Sequence, residues 1–193
     1  MKKAILTMSL GLLSCNVLAA APAWDYAQLS IIKADYDSAV ELKPIGGMVF
    51  VSNELSEHMF IAGSYSYLRD EVYGTDVEVS QSTLGVGYKY SVTANTDVFS
   101  AITFEYGDNT VKAPGYSQYD DGSGYGVMAG VRSLITSQIE LKAALRFVDI
   151  DGEDETSLGL AADYLITPRF AVGVNYDNGS AFSLVGINLR YNY

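Results

Sequence analysis

Cysteine, tryptophan and histidine each occur once in the 193 residues, at Cys15, Trp24 and His58, and proline occurs four times. One cysteine excludes an intrachain disulfide and a cysteine-ligated metal centre. One histidine leaves little material for a histidine-based nucleophile–base pair. No apolar run approaches the ~18 residues that a membrane-crossing helix needs. Cations are scarce, 12 Lys and Arg against 23 Asp and Glu, and the formal net charge of −11 excludes a nucleic-acid partner, which requires a basic footprint. Hydrophobic residues make up 49%, too many for disorder, and 15 Tyr with 18 Gly favour strands and turns over helices. The length allows one domain or at most two small ones.

The first residues have the layout of an export signal. Lys2 and Lys3 form a positive end, Ala4 to Leu13 an apolar stretch, and Ala19, Ala20, Ala21 and Ala23 a small-residue region. Cleavage after Ala19 and cleavage after Ala23 both satisfy the small-residue rule, so 1–23 is read as signal peptide and 24–193 as the mature domain. Leu12-Leu13-Ser14-Cys15 is a poor lipoprotein site because Leu13 is bulky, and Cys15 is expected to leave with the signal. Removing Lys2 and Lys3 with no acid takes the net charge from −11 to −13.

The remaining chain alternates with period two. In 139–148, Ile139, Leu141, Ala143, Leu145 and Phe147 alternate with Glu140, Lys142, Ala144 and Arg146, which puts an apolar set and a charged set on opposite faces of a strand. Similar alternation recurs around Met59, Leu84, Ile102, Val127, Leu160, Val174 and Ile187, with weaker candidates at 26–36 and 45–52. The reading is ten strands of roughly nine to eleven residues, the length that crosses a bilayer at a tilt. Eight strands result if the two weak candidates are not strands. Short connections fall at 53–57, 92–96, 136–137 and 167–169. Longer, acidic loops are expected at 37–43, 69–76, 107–122 and 149–155, with a brief one at 177–179.

Lipid offers no partner to a free N–H or C=O, so such a sheet has to close on itself. The fold class expected is all-β, a closed antiparallel transmembrane barrel. The alternation puts Lys89, Glu105, Arg132, Glu140, Lys142, Arg146, Asp163 and Arg190 on the lumen face, where both signs of charge allow ion pairing. Inner glycine and alanine make room for these long side chains. Tyr65, Tyr67, Tyr88, Tyr90, Tyr106, Tyr164, Tyr176 and Tyr191 share the apolar face near strand ends, as tyrosines at membrane–water interfaces do. A soluble carrier barrel would leave Ile139, Leu141, Leu145 and Phe147 in water.

The chain ends Val185-x-Ile187-x-Leu189-x-Tyr191-x-Tyr193. This resembles the C-terminal signal, here Leu189, Tyr191 and Tyr193, that outer-membrane barrels present to the barrel-assembly machinery. The whole mature chain is similar to the small outer-membrane β-barrel domain family. Segments such as Gln81-Ser82-Thr83-Leu84-Gly85-Val86-Gly87-Tyr88 and Gly124-Tyr125-Gly126-Val127-Met128-Ala129-Gly130-Val131-Arg132-Ser133-Leu134 resemble proteins called sulfation-dependent quorum factors. The resemblance implies integral location in a Gram-negative outer membrane. It implies contact with outer-membrane lipid and lipopolysaccharide, use of the assembly machinery during biogenesis, and no mapped catalytic motif.

Chemistry is not expected. His58 falls beside the 53–57 turn, away from the rim that meets external substrates. Asp149, Asp151, Glu153, Asp154 and Glu155 surround Gly152 without the spacing of a twelve-residue calcium loop, so a solvated acidic loop is the preferred reading and no metal or other cofactor is expected. Pro114-Gly115 with Tyr116, Tyr119, Asp120 and Asp121 sits in what reads as the longest loop, a place for recognition. The functional expectation is a structural or surface-interaction barrel with a side-chain-filled lumen. The alternative is a narrow passive channel, since ten strands lie closer to the filled eight-stranded end of the series than to open sixteen-stranded pores.

Overall fold

The computed structural model describes residues 21–37 and 42–193. The export-signal reading, with Cys15 and cleavage after Ala19, falls on residues outside those described, as does most of the 37–43 loop. Among the described residues the chain forms β1 (Tyr26–Tyr36), β2 (Ile45–Ser56), β3 (Met59–Val72), β4 (Thr75–Thr93), β5 (Thr96–Ala113), β6 (Tyr116–Leu134), β7 (Ile139–Ile150), β8 (Glu153–Leu165), β9 (Phe170–Gly179) and β10 (Phe182–Asn192). Each strand pairs antiparallel with its sequence neighbours, and β1 also pairs with β10 from Tyr26↔Asn192 to Tyr36↔Phe182, closing a ten-stranded barrel. Both ends of the described chain lie at the end of the barrel that carries the short turns.

Those turns are fixed locally. Thr136 Oγ1 accepts from the N–H of Gln138 and Ile139, and Thr167 Oγ1 accepts from the N–H of Arg169 and Phe170. The sequences Ile-Thr-Ser-Gln-Ile and Ile-Thr-Pro-Arg-Phe thus build the same side-chain-capped turn twice.

At the opposite end the structure differs from the loops expected at 69–76, 107–122 and 149–155. These segments are continuations of the strands, so β4, β5 and β6 reach 19, 18 and 19 residues instead of nine to eleven. The hairpins end in two-residue turns. Tyr73 and Gly74 (φ 52° and 76°) and Asp151 and Gly152 (φ 53° and 86°) both hold positive φ at both positions, the conformation whose twist matches the flanking strands. Pro114 followed by Gly115 (φ 78°) closes the longest one. Above the membrane both faces of a strand meet water, so apolar alternation is lost while the ladder hydrogen bonds continue. That is why these residues look like loops in the sequence.

The apolar face points outward. Leu29, Ile31, Leu84, Ile102, Phe104, Leu145 and Ile187 are among the most exposed large hydrophobic side chains. On that face the tyrosines form two rows. Tyr88, Tyr90, Tyr164, Tyr191 and Tyr193 lie toward the short turns, and Tyr65, Tyr67, Tyr125 and Tyr176 lie toward the long hairpins. Small residues on the inner face make space for charge. A Cβ on Gly126 would meet Thr103 Oγ1 and lie 2.9 Å from Glu105 Oε1, and one on Gly173 would collide with Asp163 Oδ1.

Candidate functional site: the barrel interior

The interior is layered, beginning at the short-turn mouth. Trp24 precedes β1 and lies across this mouth, its ring 4.4 Å from Phe60 and 5.5 Å from Phe99. Its indole Nε1–H donates to Asp97 Oδ2 at 2.7 Å, and Ser91 donates to Asp97 Oδ1 at 2.7 Å. Lys89 closes the rim through a 2.7 Å ion pair with Glu54. His58 is exposed beside the same turn, its ring 5.6 Å from Tyr88.

Beside Trp24 at the same mouth is a four-residue ion network, with Arg132 opposite Asp97 in the ladder and its guanidinium 4.6 Å from the Trp24 ring. Arg132 donates through Nε at 2.8 Å and Nη2 at 2.6 Å to Glu140 Oε1, and Arg190 donates through Nη2 to Glu140 Oε2 at 2.8 Å and through Nη1 to Asp163 Oδ2 at 3.1 Å. All four residues are buried, and the Tyr26 ring lies 5.1 Å from the Arg132 guanidinium and 5.4 Å from that of Arg190. Burying charge is costly unless each ion is paired and hydrogen-bonded, and here one carboxylate serves two guanidiniums.

Toward the hairpin mouth, Glu105 is fully buried and accepts a 2.7 Å ion pair from Arg146, with hydroxyl hydrogen bonds from Thr83 at 2.7 Å and Thr103 at 2.5 Å. Above it an apolar cluster of Ile32, Ala34 and Leu68, with Tyr36, Met48 and Leu184 packed against it, occupies the β1–β3 side. Lys142 stands apart from the ion network, its ammonium 5.9 Å from the rings of both Phe50 and Phe99.

The structure therefore brings Arg132, Glu140, Asp163 and Arg190 into one network, joins Glu105 to Arg146, gives Lys89 the partner Glu54, and leaves Lys142 among aromatic rings. Alternation alone misses Glu54 and Asp97 because they flank turns and read as connections. It misses Trp24 because that residue precedes the first strand. A lone tryptophan directly after a small-residue cleavage motif is the only sequence signal that marks it.

Leu189, Tyr191 and Tyr193 share the outer face of β10 and its end. The Tyr193 hydroxyl donates to the Ser52 carbonyl at 2.9 Å, and its N–H to the Asp25 carbonyl at 3.2 Å. The last residue thus ties the closing strand to β2 across β1. The acidic run of 149–155 is used locally: Asp149 accepts from the Gly152 N–H at 3.1 Å, and Glu155 accepts from the Ser180 N–H at 2.5 Å and its hydroxyl at 2.8 Å. Among the described residues no three His, Cys, Asp or Glu side chains are grouped as a metal ion would need. Outside the tyrosine row, Arg69 pairs with Asp76 at 2.6 Å, a hydrogen bond that raises the guanidinium pKa further above its ordinary value.

No curated protein sequence matches this chain. Among solved structures it is similar to Neisserial surface protein A (14% identity, 87% of this chain and 96% of that one, TM-score 0.52). It is also similar to the translocator domain of the autotransporter NalP from Neisseria meningitidis (10% identity, 88% of each chain, TM-score 0.50). The NanC porin is a third (9% identity, 86% of this chain and 100% of that one, TM-score 0.50). At these identities the likeness concerns the fold. The sequence profile described as the outer membrane protein beta-barrel domain matches residues 5–176, nearly the whole chain, and the protein belongs to that family and is integral to the outer membrane.

Proposed function

We propose that this is a non-enzymatic barrel whose lumen is filled by its own side chains and whose work is done at the cell surface, as an envelope element or interaction platform. The observation that carries this reading is the Trp24, Phe60 and Phe99 cluster packed beside the buried Arg132–Glu140–Arg190–Asp163 network, the Trp24 ring 4.6 Å from the Arg132 guanidinium. A solute crossing the barrel has to break ion pairs in a low-dielectric interior, which is strongly unfavourable. The surface half of the proposal rests on length. β4, β5 and β6 are 18 to 19 residues long, while β1, β9 and β10 are 10 to 11, so a β-sheet stands above one side of the mouth. Pairing of β6 with β7 begins at Gly124, so the β6 edge preceding it, with exposed Tyr116, Tyr119, Asp120 and Asp121, is open to a partner. The outward apolar belt between the tyrosine rows contacts outer-membrane lipid, and the ion pairs above it, including Lys112–Glu78 at 3.1 Å, meet lipopolysaccharide headgroups.

Single-channel recording of the refolded barrel in a planar bilayer tests the reading. Folded protein is expected to be silent. Reproducible steps with a fixed ion preference would overturn it in favour of a passive channel, with Glu105 and Arg146 the first filter residues to mutate.

The family's C-terminal pattern points to the assembly machinery as a biogenesis partner. Deleting Tyr193 is expected to lower the amount of protein reaching the outer membrane, measured in fractionated cells. Unchanged levels would count against both that role and the Tyr193–Ser52 tie.

A further inference from the structure

An interior cavity of about 70 Å³ lies between the ion network and the Glu105 layer. Its walls include Trp24, Phe50, Phe99, Ser52, Arg132 and Lys142, and among the described residues no acid lines it. Two of its polar groups have no protein partner: Arg132 Nη1 and Ser52 Oγ are both buried and make no hydrogen bond among the described residues. Lys142 is the third. Its ammonium meets two aromatic faces, and Asp177 lies within range of its charge but short of ion-pair contact. Glu140 cannot serve these groups, because one of its carboxylate oxygens is taken by Arg132 Nε and Nη2 and the other by Arg190.

The imbalance is therefore of one kind. Donors and positive charge surround the cavity, and its lining offers hydroxyl oxygens but no carboxylate. A buried donor left without an acceptor costs on the order of 1–3 kcal/mol, more when it is charged. The group that satisfies a guanidinium N–H, an ammonium and a hydroxyl together carries several acceptor oxygens and negative charge. At roughly 10–15 Å³ of such space per water, the volume suits one small ligand or a few waters. We infer that this cavity binds a small oxyanion, a phosphate or a short carboxylate, held by Arg132, Lys142 and Ser52.

Trp24 is the only tryptophan, and it lines the cavity, so its emission reports on the site. The refolded mature barrel is titrated with inorganic phosphate, ionic strength being held constant with sodium chloride, whose anion carries no acceptor oxygens. Wild-type protein is expected to give a saturable change in emission. Lys142→Gln is expected to weaken the apparent affinity roughly tenfold or more, in line with loss of a charged hydrogen bond, and Lys142→Arg to recover most of it. Folding of each variant is checked by its heat-modifiable mobility on gels. A wild-type response that does not saturate, or none, means water only and overturns the inference, as does a Lys142→Gln curve that matches wild type. Because the wild-type titration is decisive alone, a variant that fails to fold leaves the test intact. Conductance without phosphate saturation would overturn both this site and the filled lumen, whereas silence without saturation removes the site alone.

Discussion

Replacing Glu140 by Gln is expected to destabilise the barrel by about 3–5 kcal/mol, the range for removing one partner from a buried ion network. Glu140 is 2% exposed, and each of its carboxylate oxygens serves a different arginine. Glutamine keeps the volume and loses the charge, leaving Arg132 and Arg190 with Asp163 as their sole carboxylate in the network. Water cannot readily compensate, because Arg132 and Glu140 are almost fully buried and the Trp24 ring lies 4.6 Å from the Arg132 guanidinium. The contrast is the outer pair: Asp76→Asn, which removes the partner of the half-exposed Arg69, is expected to leave stability close to that of the wild type. Urea unfolding in lipid vesicles measures both. A Glu140→Gln cost as small as that of Asp76→Asn would mean that the lumen is open to solvent.

Replacing Leu145 by Arg is expected to cost about 2–4 kcal/mol, the value for a cation on the lipid face near the midplane. Leu145 is 60% exposed and pairs with Ala129 and Leu158, midway between the level of Tyr164, which is opposite Ile139, and that of Tyr125, which is opposite Asp149. Leu141 lies two outward positions nearer the Tyr164 row, so Leu141→Arg is expected to cost less, because the penalty falls with distance from the midplane. The adjacent Arg146 points inward to Glu105, so the strand carries a native arginine one residue away at no such cost. The same refolding titration measures the series. Equal, near-zero costs at Leu141 and Leu145 would contradict the assignment of this face to lipid.

The sequence is legible wherever the two faces of a strand meet different solvents. Strand β7 is the clearest case, since lipid demands Leu141 and Leu145 on one side while the interior accepts Glu140 and Arg146 on the other. The contrast fades in β1, where inward-facing Ile32 and Ala34 join the apolar cluster near the hairpin mouth, and in β2, which carries Gly46 and Gly47. It vanishes in the upper halves of β5 and β6, which therefore read as a loop. Parity gives the face of a residue but not its partner. Arg132 sits opposite Lys142 in the ladder and bonds to Glu140 two residues away, a choice made by side-chain reach within a closed lumen. Trp24 and Asp97 were out of reach for a different reason: the mouth is sealed from the terminal segment and a strand end, where no alternation marks the inner face.

Thiol labelling in intact cells tests the central topological claim most directly, using single cysteines in a Cys15→Ser background. Ser117→Cys, on the exposed β5–β6 hairpin, is expected to react with a membrane-impermeant maleimide added to whole cells. Glu57→Cys, in the exposed short turn between β2 and β3, is expected to react only after the outer membrane is permeabilised. Labelling of both sites on intact cells, or of Glu57→Cys alone, would contradict a barrel that crosses the membrane with long hairpins outside and both termini within.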